Sequence, residues 1–370
     1  MLARYASVLR IPWILVILSL TLCDICLAQN STDQIKAEIA RLQQSLKDEP
    51  ITSPAFPEIS GNIQNSLGSA DSALAAGLPY AALEKLGQAN DLLQGVRLVV
   101  AKSDAVKGGL PAFEAEWTKA NLELTSADTT ARERSWNKSL LAFRAISETA
   151  QARVMPLLEG GRGFAVATHP QDGLFYVGEA QGESAFAAFV ASLHEQRKVT
   201  PVALRSFLPE LHRLQEMTNA AFQPPRSIDQ HPRFIALNST LKLADELDAA
   251  KSYAGALYQY LEATRHYGML ESTVPDAKGK ENLKRSIAAK LSELQNSRQD
   301  DSIAQIFLER AQTYLSHSDG SAPADDEWRS AQVIVYQVIP AYYQALKPAA
   351  PLKQISGRTV TLTLVRWPYT

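Results

Sequence analysis

Apolar residues along most of this chain recur every three or four positions, the spacing that lines one face of an α-helix. Ile35, Ile39, Leu42 and Leu46 form one such stripe behind Ser31, Thr32 and Asp33, which suit a helix start. After a segment punctuated by Pro50, Pro54 and Pro57, a second stripe holds Ile59, Ile63, Leu67, Ala70 and Leu74 and breaks at Gly77-Leu78-Pro79. A third helix is expected from about Tyr80 to Val106, stopped by Gly108-Gly109. Phe113, Trp117, Ala120 and Leu124 mark a fourth. A fifth is expected to start at Asp128 and carry Trp136, Leu140, Phe143, Ala150 and Val154.

The pattern changes at Gly160-Gly161-Arg162-Gly163, read as a joint between two helical halves in preference to an anion-binding nest. Residues 164–168 and 174–177 are short apolar runs flanking His169-Pro170. Either they form a small hairpin, or the second opens the helix that holds Phe186, Phe189 and Leu193. Helices resume at Thr200-Pro201, with Leu204, Leu208, Leu211 and Leu214 as a stripe bent by Pro209. Gln223-Pro224-Pro225-Arg226 reads as a linker. Beyond it come a stripe from Phe234 to Leu247, a turn at Lys251-Ser252, and helices from Tyr253, Pro275, Ser302 and Ala324, the last kinked at Pro340.

The chain thus reads as all-α, built of stacked antiparallel helical hairpins. The expected units are 1–28, 29–158, 159–223, 224–347 and a tail, 348–370. That tail departs from the helical pattern. After Pro348 and Pro351, Val360, Leu362 and Leu364 alternate with threonines and run into Trp367, a β-strand pattern. A lone strand leaves its backbone groups unpaired. It is therefore expected to pair with the central runs or to add to a partner's sheet.

Two short segments share a further pattern. Tyr253, Ala256-Leu257, Tyr260 and Ala263 resemble the start of the second helix of a tetratricopeptide repeat, and Gly77-Leu78-Pro79-Tyr80 with Ala82-Leu83 and Ala89 is similar, one residue out of register. The resemblance implies close-packed helical hairpins at these two places. It transfers no functional residue.

The first 28 residues read as a secretory leader. Arg4 and Arg10 precede an apolar run over 11–22, and small Ala28 invites cleavage before Gln29. The run is short for a membrane span. Neither Cys23 nor Cys26 has a small residue before it, so lipid attachment and a retained signal anchor are the lesser readings. Both cysteines lie in the leader, so a cleaved chain would have no disulfide, thiolate metal site or cysteine nucleophile. The expected location is periplasmic or secreted. With a net charge of −2 for the full chain and Arg4, Arg10 and Asp24 in the leader, the cleaved chain is one unit more negative. That balance gives no field to gather nucleic acid.

No catalytic motif is present. The six histidines are scattered without ligand spacing, so no metal or cofactor is expected. Asp300-Asp301 and Asp325-Asp326-Glu327 sit at helix starts and read as caps. Lys278, Lys280, Lys284 and Arg285 read as a solvated helix start. Tyr253, Tyr260 and Tyr267 repeat every seven residues, near Tyr258 and His266. They form either a packed seam or a groove for a peptide or sugar. The expected function is therefore that of an exported binding or scaffold protein of the cell envelope, with a protein or peptide partner. Its candidate partner-binding residues are Tyr253, Tyr260, Tyr267, Val360, Leu362, Leu364 and Trp367. The alternatives are a hydrolase of wall glycan or peptide, which needs acids or histidines converging in a cleft, and a small-ligand binder using the tyrosines.

Overall fold

The computed structural model describes residues 30–48, 57–136, 139–194, 199–224, 228–316 and 322–347. The expected leader, residues 1–28, and the strand candidates Val360, Leu362, Leu364 and Trp367 lie outside them. The described residues are almost wholly helical, in the order α1 (Ser31–Asp48), α2 (Ile59–Ala75), α3 (Pro79–Lys102), α4 (Leu110–Arg132), α5 (Leu141–Ala167), α6 (Pro170–Ser192) and α7 (Leu208–Ala221). There follow α8 (His231–Ala249), α9 (Tyr253–Glu271), α10 (Ala277–Gln295), α11 (Ser302–Ser316) and α12 (Ala322–Val333). A π-helical turn, Ile334–Val338, then leads into α13 (Ile339–Ala345). Pro340 lies just after that turn. The widened turn lets the helix continue past a residue that cannot donate to the ladder.

The apolar stripes bury as their spacing requires. Ile35, Ile39, Leu42, Ile63, Leu67, Leu237 and Ile287 are essentially inaccessible, and one core cluster runs from Ile35 to Ala345. Two smaller clusters flank it, one around Phe113, Trp117 and Leu158, the other around Leu211, Leu237 and Ala263.

The hairpins α2–α3 and α8–α9 turn in the same way. Leu78 N–H donates to Ala73 O at 2.9 Å and Gly77 N–H to Leu74 O at 3.0 Å. Ser252 N–H donates to Leu247 O and Lys251 N–H to Asp248 O, both at 2.9 Å. Gly77 (φ 75°) and Lys251 (φ 61°) take the left-handed conformation this C-terminal motif needs. Each hairpin is then capped by a glutamate from a distant helix. Glu309 of α11 accepts Tyr80 N–H at 2.7 Å and Ala81 N–H at 3.1 Å, at the start of α3. Glu148 of α5 accepts Gly255 N–H at 2.8 Å, at the start of α9. In both helices the residue four before the glutamate braces it: Gln305 Nε2 donates to Glu309 at 2.8 Å and Arg144 Nε to Glu148 at 2.7 Å. α5 and α11 also meet each other, because Asp300 accepts Leu141 N–H and Ser302 Oγ accepts Ala142 N–H. Asp300 is thus a cap, but chiefly for α5.

Several expectations fail in the centre of the chain. Residues 164–167 end α5 and 174–177 lie inside α6, so no central hairpin forms. The glycines at 160, 161 and 163 lie within α5 and make neither a joint nor an anion nest. Of the three only Gly161 is closely packed; nothing lies within 4 Å of a Cβ at Gly160 or Gly163. A Cβ at Gly161 would lie 2.8 Å from Gly173 O, and one at Gly173 would lie 2.6 Å from Gly161 O, so α5 and α6 cross nearly backbone to backbone. Asp128 does not open a helix. It sits in α4, paired to Arg132 at 2.7 Å, and the next helix begins at Leu141. Thr200-Pro201 starts no helix either. Thr200 instead makes the one β-bridge among the described residues, with Gln299, and Pro209 occupies the first turn of α7.

Candidate functional site

Helices α3, α5, α6, α8, α9 and α11 enclose a cleft of about 600 Å³, a size that suits a small ligand or a peptide side chain. Three of these helices, α3, α5 and α9, turn a second, polar stripe toward it at helical spacing. α3 supplies Glu84, Gln88 and Asp91, α5 supplies Thr149 and Arg153, and α9 supplies Tyr258, Glu262, Arg265 and His266. Ile146, Ala150, Phe186 and Leu243 give the cleft apolar wall.

One end of the cleft is an internally matched knot. Arg310, nine-tenths buried, donates from Nε to Glu84 at 2.9 Å, from one terminal nitrogen to Glu262 and from the other to Tyr258 Oη at 2.7 Å. Glu262 also accepts Arg265 Nε at 2.9 Å. Burial opposes the Glu262 charge, but Arg310 and Arg265 overcome it and hold its carboxyl well below the usual range. Burial, helped by the Arg265 charge, pushes the His266 imidazole down to about 4, so it is neutral at pH 7.

The other end is not matched. Glycines bring α6 against α3 there: a Cβ at Gly178 would lie 2.5 Å from Gln94 O, and one at Gly182 would lie 3.0 Å from Asp91. This close approach sets Asp91 beside Glu183, which is 2 % exposed. The cation that faces them among the described residues, Arg153, reaches Glu183 Oε1 at 2.9 Å, and its side chain is 57 % exposed, so water screens much of its charge. Asp91 Oδ1 and the buried Thr149 Oγ1 have no hydrogen-bond partner, and Glu183 Oε1 meets Arg153 without hydrogen-bond geometry. Burial, with the charges of Glu183 and Glu179 added, pushes the Asp91 carboxyl up to about 9 against the pull of Arg153. Burial likewise raises Glu183, and with the Glu183 charge lifts Glu179 to about 7. Around the whole cleft, Glu84, Asp91, Glu183 and Glu262 face Arg153, Arg265 and Arg310.

The tyrosine ladder lies elsewhere. Tyr260 and Tyr267 pack against the cluster of Leu211, Leu214 and Leu237, and Tyr253 packs on the main core. All three are half-buried and none lines the cleft. Their neighbours Tyr258 and His266 do. Among the acidic runs, Asp326 pairs with Arg233 at 3.1 Å. Lys280 and Lys284 lie over the Trp328 ring. No group of three or more metal-ligating side chains converges among the described residues. The acids and one histidine do converge in a single cleft, the arrangement the hydrolase alternative requires. The signal in the sequence was Glu84, Gln88 and Asp91 at i, i+4 and i+7, which places the three on one face of the helix.

No family model matches this chain, and neither does any curated protein or solved structure.

Proposed function

We propose that this chain is an exported binding protein of the cell envelope, and that it takes a small polar ligand or a peptide side chain into the central cleft. The observation that carries this reading is that three buried polar atoms without a hydrogen bond, Asp91 Oδ1, Thr149 Oγ1 and Glu183 Oε1, belong to residues lining that cleft. Buried polar atoms left without protein partners are satisfied by water or by a ligand. The leader supports export, and the near-neutral net charge favours a local, shaped site over a broad electrostatic surface. Tyr253, Tyr260 and Tyr267, together with the 359–370 tail, remain a separate candidate surface for a protein partner.

Ser239 tests the reading, because it is exposed on α8 and lines the cleft. Ser239→Trp fills the space without touching the core. Native mass spectrometry of protein recovered from envelope extracts should show a small-molecule or peptide adduct on the wild type and none on Ser239→Trp. Equal adducts on both would place binding outside the cleft.

A second reading, hydrolysis of wall glycan or peptide, draws on the Asp91 carboxyl, held protonated beside Glu183 as a general acid would be. Release of soluble fragments from purified cell wall, abolished in Asp91→Asn, would support it. No release by the wild type would end it.

A further inference from the structure

We propose that the acidic end of the cleft is a receptor for a primary alkylammonium group, held by Asp91, Glu183 and Thr149 with its alkyl chain along Ile146, Ala150 and Phe186. The proposal rests on the binding reading above and names the chemistry of its ligand.

A primary ammonium has three N–H donors and no acceptor. This end of the cleft offers three acceptor atoms that lack a hydrogen bond and lie out of water: Asp91 Oδ1, Glu183 Oε1 and Thr149 Oγ1. Thr149 is 6 % exposed and Glu183 is 2 % exposed, so neither is an ordinary surface group. Two carboxyl groups share one outward-lying arginine, so both can ionise only when a further cation joins them. An anion would oppose that ionisation and a carbonyl brings no donor to the three acceptors, whereas an ammonium permits the one and supplies the other. A metal ion is the poorer occupant, because no metal-ligating set converges among the described residues. The wall beside the acids is aliphatic and aromatic, as a methylene chain requires. The opposite end cannot substitute as the ammonium site, since Glu84 and Glu262 are already committed to Arg310. The same chemistry has two sources, a free aliphatic amine and the lysine side chain of a peptide.

Isothermal titration of the full chain distinguishes them with three probes: 1,5-diaminopentane, acetyl-Gly-Lys-Gly-amide and its norleucine counterpart, which keeps the alkyl chain and lacks the amine. The proposal expects the diamine, the lysine peptide or both to bind, and the norleucine peptide to bind at least ten-fold more weakly than the lysine peptide. Binding of the diamine alone assigns a free amine, and binding of the peptide alone assigns a side chain. Asp91→Asn and Glu183→Gln should each weaken binding at least ten-fold, and Thr149→Val several-fold, with helicity by circular dichroism unchanged. If either acid variant fails to fold, the norleucine comparison and Thr149→Val still decide. Absence of binding by both amines overturns the proposal, as does norleucine binding equal to lysine. In that last case a loss of binding in Ser239→Trp keeps the cleft as the site, whereas unchanged binding in Ser239→Trp removes the cleft reading as well.

Discussion

The Glu309 carboxylate accepts the Tyr80 backbone N–H at 2.7 Å, joining residues 229 positions apart. Glu309 is wholly buried and sits in mid-helix, yet its task is to satisfy the free N–H groups at the start of another helix. Glu148 does the same for Gly255 in the other half of the chain. Glu309→Ala removes the acceptor and leaves both a cavity and buried donors, so it should cost about 3 kcal/mol in urea unfolding. Glu309→Gln keeps an acceptor oxygen and should cost less than about 1 kcal/mol at pH 7. Equal losses in the two variants would show that volume alone matters at this position.

Stability should depend on pH with a definite sign. Burial pushes the Glu309 carboxyl up to about 8, and burial with the Glu183 charge pushes Asp91 up to about 9. Below the ordinary carboxylate range both groups are protonated folded and unfolded. As pH rises from about 5 to 9, the unfolded carboxyls ionise first, the native state binds more protons, and stability falls. Glu262 acts in the opposite sense, its contribution being lost only as pH drops through and below the ordinary carboxylate range. Thermal midpoints should therefore decline from pH 5 to pH 9, with a shallower slope in Glu309→Gln and in Asp91→Asn. A midpoint that climbs over this interval contradicts the assignment.

Arg310 anchors the matched end of the cleft through Glu84, Glu262 and Tyr258. Arg310→Met would leave Glu262 buried with only Arg265 as counter-charge. The expected loss is about 3 kcal/mol or more, because a broken buried pair strands a charge. A parallel Glu262→Gln, Arg310→Met double variant should recover part of it. No recovery would mean that the network acts through packing alone.

Gly173 and Gly160 separate two meanings of a glycine-rich segment. Gly173→Ala sets a methyl group 2.6 Å from the Gly161 carbonyl and should destabilise by about 1–3 kcal/mol. Gly160 lies in α5 beside Gly161 with nothing within 4 Å of a Cβ, so Gly160→Ala should stabilise by up to about 1 kcal/mol. Chemical denaturation reads both. A flexible joint at 160–163 would respond to neither in this way.

The helical class and the buried stripe of α1 were legible because one face of α1 is apolar and the other wet, and the start of α9 because Lys251-Ser252 marks the turn before it. Legibility failed where helices are buried on several sides. Gly161 of α5 and Gly173, Gly178 and Gly182 of α6 serve helix contact, and nothing in local sequence separates that use from a turn. The same burial hid the cleft. Asp91 and Glu183 lie on separate helices, and only the glycine-mediated crossing of α3 and α6 brings them together. The tyrosine repeat, by contrast, was visible as a pattern and lies half-buried against neighbouring helices.

Proton release on binding tests the central claim most directly. In the empty cleft Asp91 holds a proton at pH 7, since its carboxyl is raised to about 9 by burial and by the charges of Glu183 and Glu179, against Arg153. An ammonium seated beside it favours the ionised form. Titration of 1,5-diaminopentane or the lysine peptide at pH 7, in buffers of different ionisation enthalpy, should report the loss of nearly one proton per ligand bound, and Asp91→Asn should abolish that release. Binding with no proton release, or with the same release in Asp91→Asn, would contradict the account.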